Sequence, residues 1–394
     1  MEPKIRFIGH KLNWSVVALD KVTTARNASN ALVNNRNLLS LSYGKIVNKD
    51  IDSNKGLLPS SFSTYQIIEP NTIVFRGTDL QNDKRSLRVA ISKQKGIISP
   101  AYVTMDVTDE NILPYYLYLA MHWHDVSKKS YYKMGDGLRQ TLPYSVLKEL
   151  EIPFPDKSEQ QEIIAYFRKL DAKLQASAKK VESLKKLKSA SLVAMFPQNG
   201  ESMPKVRFKG FEGEWSTNNL GSIFAERIES NENGEMLSVT MNNGIIRSSD
   251  NGRFDNSNSD KSKYKVVKIG DIAYNSMRMW QGASGVSQYE GIVSPAYTVV
   301  TPSVDVDTDF FGYLFKTDDV IRLFKLNSQG LTSDNWNLKY PAFSRICVSY
   351  PKSKEEQQAI AAYFRSLDRK IALETARLEK LKQIKLACLD KMFV

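Results

Sequence analysis

The chain has 394 residues, 42% of them apolar and 25% charged, with a formal net charge of +12. These values describe a soluble globular protein of two or three domains, and the basic surplus favours a polyanionic partner such as nucleic acid. No run of 18 apolar residues marks a membrane span, the opening Met1-Glu2-Pro3-Lys4-Ile5-Arg6 lacks the apolar stretch of a secretory signal, and only Cys347 and Cys388 are present, which excludes a disulfide framework or a Cys-rich zinc site and fits a reducing cytosol.

In chain order, the first feature is Pro3-Lys4-Ile5-Arg6-Phe7-Ile8-Gly9, followed by Trp14-Ser15. Short β-type runs come next, at Thr72-Ile73-Val74-Phe75 and Leu87-Arg88-Val89-Ala90-Ile91. The loop between them carries Arg76, Thr78, Asp79, Gln81, Asn82, Lys84 and Arg85, with Arg88 beyond it. Arginine and lysine suit guanine O6 and N7, asparagine and glutamine suit adenine N6 and N7, and Lys84, Arg85 and Arg88 can instead take phosphates, which position without specifying. Gly96 leads into a strand at Ser99-Pro100-Ala101-Tyr102, a helical stretch lies near Leu113–Met121, and a Gly-bearing loop, Gly135-Asp136-Gly137-Leu138-Arg139-Gln140, adds Arg139 and Gln140 as weaker candidates.

From Glu159 to Phe196 there is neither proline nor glycine, and Ser158 with Gln161 has capping-box spacing. Phe167, Leu170, Leu174, Val181, Leu184 and Met195 alternate by threes and fours, the seam of a coiled coil, interrupted at Ser177, Lys188 and Ser191. A helix of some 38 residues is ~57 Å long.

The chain then repeats itself. Pro204-Lys205-Val206-Arg207-Phe208-Lys209-Gly210 and Trp215-Ser216 repeat the opening at a shift of 201, Ser294-Pro295-Ala296-Tyr297 follows at 195, and Glu356-Gln357-Gln358, Ala362-Tyr363-Phe364-Arg365 and Met392-Phe393 follow at 197. A period of half the chain is a domain duplication, not a solenoid. The second copy has β-type runs at Tyr264–Lys268, Ile272–Tyr274 and Tyr297–Val300, a helical stretch at Phe310–Leu323 and a loop at Gln329-Gly330-Leu331-Thr332. Its own long helix has the seam Phe364, Leu367, Ile371, Leu378, Leu381, Cys388 and Met392. Between the matching blocks the halves diverge. Where the first copy has the loop from Arg76, the second has Asn275, Ser276, Arg278, Trp280 and Gln281. The expected fold is a pair of α/β or α+β modules, each built round a strongly bent sheet, joined by two long antiparallel coiled-coil helices with the modules at opposite ends. The expected boundaries are 1–157, 158–203, 204–354 and 355–394.

Catalytic motifs are missing. There is no G-x-x-x-x-G-K-[ST] phosphate loop, no Asn-Pro-Pro-Tyr-like methyltransferase block and no Gly-x-Ser-x-Gly, Pro155-Asp156 lacks a nuclease-type Glu-x-Lys, and His122 and His124 with only His10 besides are too few for zinc. Binding chemistry remains. Residues 1–157 hold 21 basic against 15 acidic side chains, whereas residues 204–354 hold 18 against 17, so the second module must rely on local patches.

The Pro-Lys-[Ile/Val]-Arg-Phe-x-Gly motifs ending at Trp14 and Trp215, the two Glu-Gln-Gln…Ala-Tyr-Phe-Arg-x-Leu-Asp blocks and the helices ending in Met-Phe cover nearly the whole chain. They resemble the specificity subunit of type I restriction-modification systems. The resemblance implies two target recognition domains, each reading one half of a bipartite, asymmetric site in double-stranded DNA, with spacer helices setting the gap. It implies that the chain is non-catalytic and binds no cofactor itself. Two modification subunits would dock on the helices and carry S-adenosylmethionine, and restriction subunits would bring ATP and Mg, in the cytoplasm. The repeated residues at the helix starts, Gln160, Gln161, Tyr166 and Phe167 with Gln357, Gln358, Tyr363 and Phe364, are the docking candidates. The competing reading is a coiled-coil scaffold joining two protein-binding modules without DNA readout.

Overall fold

The computed structural model describes residues 3–52, 58–78, 87–127, 131, 141–198, 200–241, 244–251, 260–332 and 335–393. It divides into two compact units, Met1–Ala178 with Ala376–Val394, and Lys179–Thr375. These units cut across the sequence segments. Each takes one globular part, the start of the long helix that follows it and the end of the other long helix.

In the first unit, strands β1 (Ser15–Ala18), β2 (Thr23–Ala25), β3 (Leu39–Ser42), β4 (Lys45–Asn48), β5 (Gln66–Ile68), β6 (Ile73–Phe75), β7 (Val89–Ile91), β8 (Gly96–Ile98) and β9 (Val103–Val107) precede helix α1 (Pro114–Ser127). A short helix α2 (Tyr144–Leu147), strand β10 (Glu151–Phe154) and the long helix α3 (Lys157–Met195) follow. A four-stranded sheet has the order β2-β9-β6-β7, and β1-β10, β3-β4 and β5-β8 form separate pairs. All of these named pairings are antiparallel, so the module is α+β.

Strand β6 explains the core. Ile73, Val74 and Phe75 are all fully buried, because alternate side chains leave opposite faces of a strand and both faces here are covered. Ile73 and Phe75 join Val89 and Met105 against Tyr116, Leu117 and Met121 of α1, Ile163 and Phe167 of α3, and Leu389, Met392 and Phe393. Val74 meets Leu39, Leu41, Ile68, Ala90 and Ile98 on the other side.

The second unit repeats this order. Its strands are β11 (Ser216–Asn219), β12 (Phe224–Glu226) after the short α4 (Leu220–Ile223), β13 (Leu237–Thr240), β14 (Gly244–Arg247), β15 (Lys265–Val267), β16 (Ile272–Asn275), β17 (Ser284–Val286), β18 (Gly291–Val293) and β19 (Tyr297–Pro302). Helices α5 (Thr308–Leu314), α6 (Asp318–Asn327) and α7 (Tyr340–Phe343), strand β20 (Cys347–Tyr350) and the long helix α8 (Lys354–Met392) complete it. The sheet order β12-β19-β16-β17 with pairs β11-β20, β13-β14 and β15-β18 matches the first unit strand for strand.

Three expectations are corrected. The Ser-Pro-Ala-Tyr blocks are turns that lead into β9 and β19, closed by Tyr102 N to Ser99 O at 3.1 Å and Tyr297 N to Ser294 O at 3.0 Å, with Tyr297 the first residue of β19. The stretch Phe310–Leu323 is two helices, α5 and α6, not one. The first long helix is not opened by a Ser158–Gln161 box. Asp156 Oδ1 accepts from Ser158 N at 2.9 Å and Glu159 N at 3.0 Å, and the Ser158 hydroxyl donates to the same carboxylate at 2.6 Å. A carboxylate caps better here because it also meets the positive end of the helix dipole.

The two long helices pair antiparallel within each unit. In the first, Lys385 Nζ meets Asp171 at 2.6 Å, and Tyr166 Oη lies 3.2 Å from Cys388 Sγ. In the second, Lys188 Nζ meets Asp368 at 2.5 Å, Ser191 Oγ lies 2.9 Å from Tyr363 Oη, and Lys180 Nζ is 3.2 Å from Glu374. Two of the seam's sequence interruptions, Lys188 and Ser191, are therefore polar contacts between helices.

Candidate nucleic-acid interface

The repeated motifs form the frame that carries the candidate reading loops. Arg6 makes a bidentate pair with Glu159 through Nε and Nη2, both at 2.8 Å, and Trp14 Nε1 donates to the same carboxylate at 3.2 Å. Arg207 repeats this on Glu356 at 2.6 and 2.7 Å, with Trp215 Nε1 at 3.4 Å. The next residue along each helix ties down the segment ahead of α1 or α5. Gln160 Oε1 accepts from Leu113 N at 2.9 Å while Nε2 donates to Asn111 O and Pro155 O. Gln357 Oε1 accepts from Asp307 N at 2.9 Å and Nε2 donates to Pro351 O.

These contacts correct part of the docking expectation. Gln160, Gln357, Phe167 and Phe364 are buried inside their own units and offer no surface to another subunit. Gln161 and Gln358 are exposed, and Tyr166 and Tyr363 are half-buried with their hydroxyls turned to Cys388 and Ser191.

The loops after β6 and β16 are fastened in the same way. Leu142 N donates to Gly77 O at 2.7 Å in the first unit, and Leu338 N donates to Ser276 O at 2.8 Å in the second. Each candidate loop is thus stitched to the late segment of its module. In the first unit Arg76 and Thr78 are partly exposed. Arg88 is a correction: it is fully buried, its Nη1 donates to Arg76 O at 3.1 Å and Thr78 O at 2.5 Å, and its backbone N meets Asp125 Oδ2 at 2.5 Å. Its guanidinium shapes the loop base and cannot face a phosphate. Asp79, Gln81, Asn82, Lys84, Arg85, Arg139 and Gln140 lie outside the described residues.

In the second unit Asn275 Oδ1 accepts from Met277 N at 3.0 Å, an Asx turn that opens the loop. Ser276 is a second correction: it is buried, and its hydroxyl lies 2.8 Å from Thr298 Oγ1. Arg278 and Gln281 are exposed and face one another at 3.4 Å, within hydrogen-bond reach. Met279, fully buried, anchors the one-turn helix Met279–Gln281, and Gly282 at φ 80° lets the chain leave it.

Trp280 is half-buried, its Nε1 donating to Met277 O at 3.0 Å. Its ring meets Trp336 edge-on, with centroids 5.2 Å apart and planes at 77°. Lys325 Nζ sits 5.5 Å over the Trp336 ring. Sequence reasoning missed Trp336 and Lys325, although a second tryptophan just beyond the Gln329-Gly330 loop was a usable signal.

Among the described residues one group of potential metal ligands occurs, His10, Asp156 and Glu159. Glu159 commits both oxygens to Arg6 and Trp14, and Asp156 caps α3, so these carboxylates act as anchors. No described helix is long and apolar enough to cross a membrane.

The family model described as the type I restriction modification DNA specificity domain matches residues 14–186 and again 213–383. The S subunit of a type I restriction-modification system from M. genitalium is 18% identical, with a TM-score of 0.60, covering 100% of this chain and 99% of that one. A structure from work on complex assembly and conformational transition of the type I R-M system is also 18% identical, with a TM-score of 0.53, covering 98% and 99%. A search of curated proteins gave no match. With two copies of the domain spanning most of its length, the chain belongs to the type I restriction modification DNA specificity family and is a DNA sequence-specificity subunit.

Proposed function

We propose that each unit reads one half of a bipartite, asymmetric DNA site and that the paired helices set the gap between the halves. One observation carries this reading. The units agree strand for strand and share the Arg–Glu–Trp anchor, yet they differ in the loop held on that frame. Arg76 and Thr78 open the first loop, while the second presents Arg278 and Gln281, side chains suited to guanine and adenine edges.

The helices are the docking surface for two modification subunits in this proposal. Leu187 is 47% and Ile384 37% exposed. These occupy equivalent places in the two copies, and an exposed apolar residue repeated on each long helix suits a partner that binds twice. Gln161 and Gln358, also equivalent and exposed, extend that surface. S-adenosylmethionine would then belong to the modification subunits, and ATP and Mg to restriction subunits, all in the cytoplasm.

Module exchange tests the reading. Residues 1–157 are replaced by the matching module of another family member, the chain is expressed with its modification subunit, and methylated sites are mapped. One half-site is expected to change while the other half and the gap stay fixed. A change in both halves, or in neither, overturns the division of labour, and binding with no steep salt dependence would favour a protein scaffold.

A further inference from the structure

We propose that the second unit recognises the 5-methyl group of a thymine with Leu331, a contact that deepens, and rests on, the reading of this unit as a half-site reader. Leu331 is 100% exposed, so its side chain gains nothing from the fold itself. The described residues on either side of it are tied by backbone hydrogen bonds. Gln329 N donates to Asn337 O at 3.0 Å and Asn337 N to Gln329 O at 2.8 Å, while Asn335 N donates to Thr332 O at 3.0 Å. Gly330, at φ 148°, passes so close to Asn335 that a Cβ would lie 2.6 Å from its carbonyl oxygen. Trp336 in the same loop packs on Trp280, and Leu338 N is bonded to Ser276 O at 2.8 Å. The leucine is thus held beside the loop that carries Arg278 and Gln281.

The occupant follows from the chemistry. Arg278 and Lys325 are exposed cations on this face, which suits DNA phosphate or guanine. Duplex DNA presents one apolar group on its base edges, the thymine methyl in the major groove. The indoles are poorly placed to act as a stacking wedge. Trp280 is tied by its N–H to Met277 O, and Trp336 has Trp280 against it and Lys325 over its ring. A module whose basic residues exceed its acidic ones by 18 to 17 has little electrostatic discrimination to offer, so an apolar base contact carries more of the selectivity.

The test uses the full chain with its modification subunit and duplexes of its methylated site, in which each thymine of the second half-site is replaced singly by deoxyuridine. One position is expected to weaken binding by about fourfold, the transfer value of one buried methyl. L331A should bind the thymine duplex more weakly by a similar factor and be indifferent to deoxyuridine at that position, while Leu331→Met keeps part of the effect. Additive losses, or a second half-site with no position sensitive to the methyl, overturn the proposal. Failure of the complex to distinguish any base in that half would instead remove the half-site reading on which it rests.

Discussion

Phe393 follows the end of α8 but belongs to the core of the first unit. Its ring is 2% exposed and packs against Trp14, Tyr116, Trp123 and Phe167, with centroids 6.1, 5.6, 6.4 and 6.4 Å away. Phe393→Ala removes a ring from an aromatic cluster, a change that costs about 3–5 kcal/mol when the cavity cannot collapse. At the low end of that range about 3 kcal/mol is lost. For a unit of roughly 200 residues this lowers Tm by about 10 °C. Phe196→Ala is the matched change. That ring is fully buried against Trp215, Phe310 and Phe364 at 6.2, 5.4 and 5.9 Å. Hydrogen exchange read by fragment separates the two. Phe393→Ala is expected to lose protection in α1 and keep it in α5, and Phe196→Ala the reverse. The effect runs crosswise in sequence, because the last residues of the chain stabilise its first module. Loss of protection in α5 but not α1 on removing Phe393 would refute the assignment of helix ends to units.

Two further changes test local physics. Gly77→Ala would put a Cβ 2.2 Å from Leu142 O, against rigid backbone, and is expected to cost about 1–3 kcal/mol in a urea titration; a loss under about 0.3 kcal/mol would mean that the stitch under the first reading loop is slack. Burial holds the His124 imidazole down at about 4, from an ordinary 6.5, although its Nε2 lies 3.0 Å from Glu151 O. Between those values the unfolded chain takes up a proton that the folded unit does not. Stability therefore falls as pH drops through that window, by at most about 3 kcal/mol. His124→Gln should flatten that acid limb, and an unchanged slope between pH 6.5 and 4 would show that other groups cause it.

The helices were legible because a spacing of three and four sustained over tens of residues has few explanations. Phe167, Leu170, Val181 and Met195 are buried as the seam requires, and so are Phe364, Leu367 and Met392. The hairpins β3-β4 and β13-β14 were not legible. Their strands are four residues long, and the pattern in Leu39–Ser42 and Leu237–Thr240, buried alternating with half-buried, is too short to stand out from turns. Nor did spacing reveal that Ser276 and Arg88 point inward. In both cases a polar side chain bonds to groups 10 to 22 residues away, Thr298 for the serine and the carbonyls of Arg76 and Thr78 for the arginine.

The Glu-Gln-Gln block shows why recurrence within a chain is an ambiguous signal. Its repetition suggested a surface offered twice to the same partner. Two of its three residues instead face inward: the glutamate takes Arg and Trp, and the first glutamine takes backbone groups. Glu159 and Glu356 have side chains 1% and 2% exposed, and losing either arginine would leave a buried carboxylate without its main partner. Breaking a buried pair in this way costs about 3–5 kcal/mol. Such a constraint acts equally on both copies whatever DNA each one reads, so it keeps the anchor alike while Arg76–Thr78 and Asn275–Gln281 drift apart. Only the third residue, Gln161 or Gln358, is exposed. A docking partner is therefore to be sought at these glutamines and at Leu187 and Ile384, not at the rest of the block.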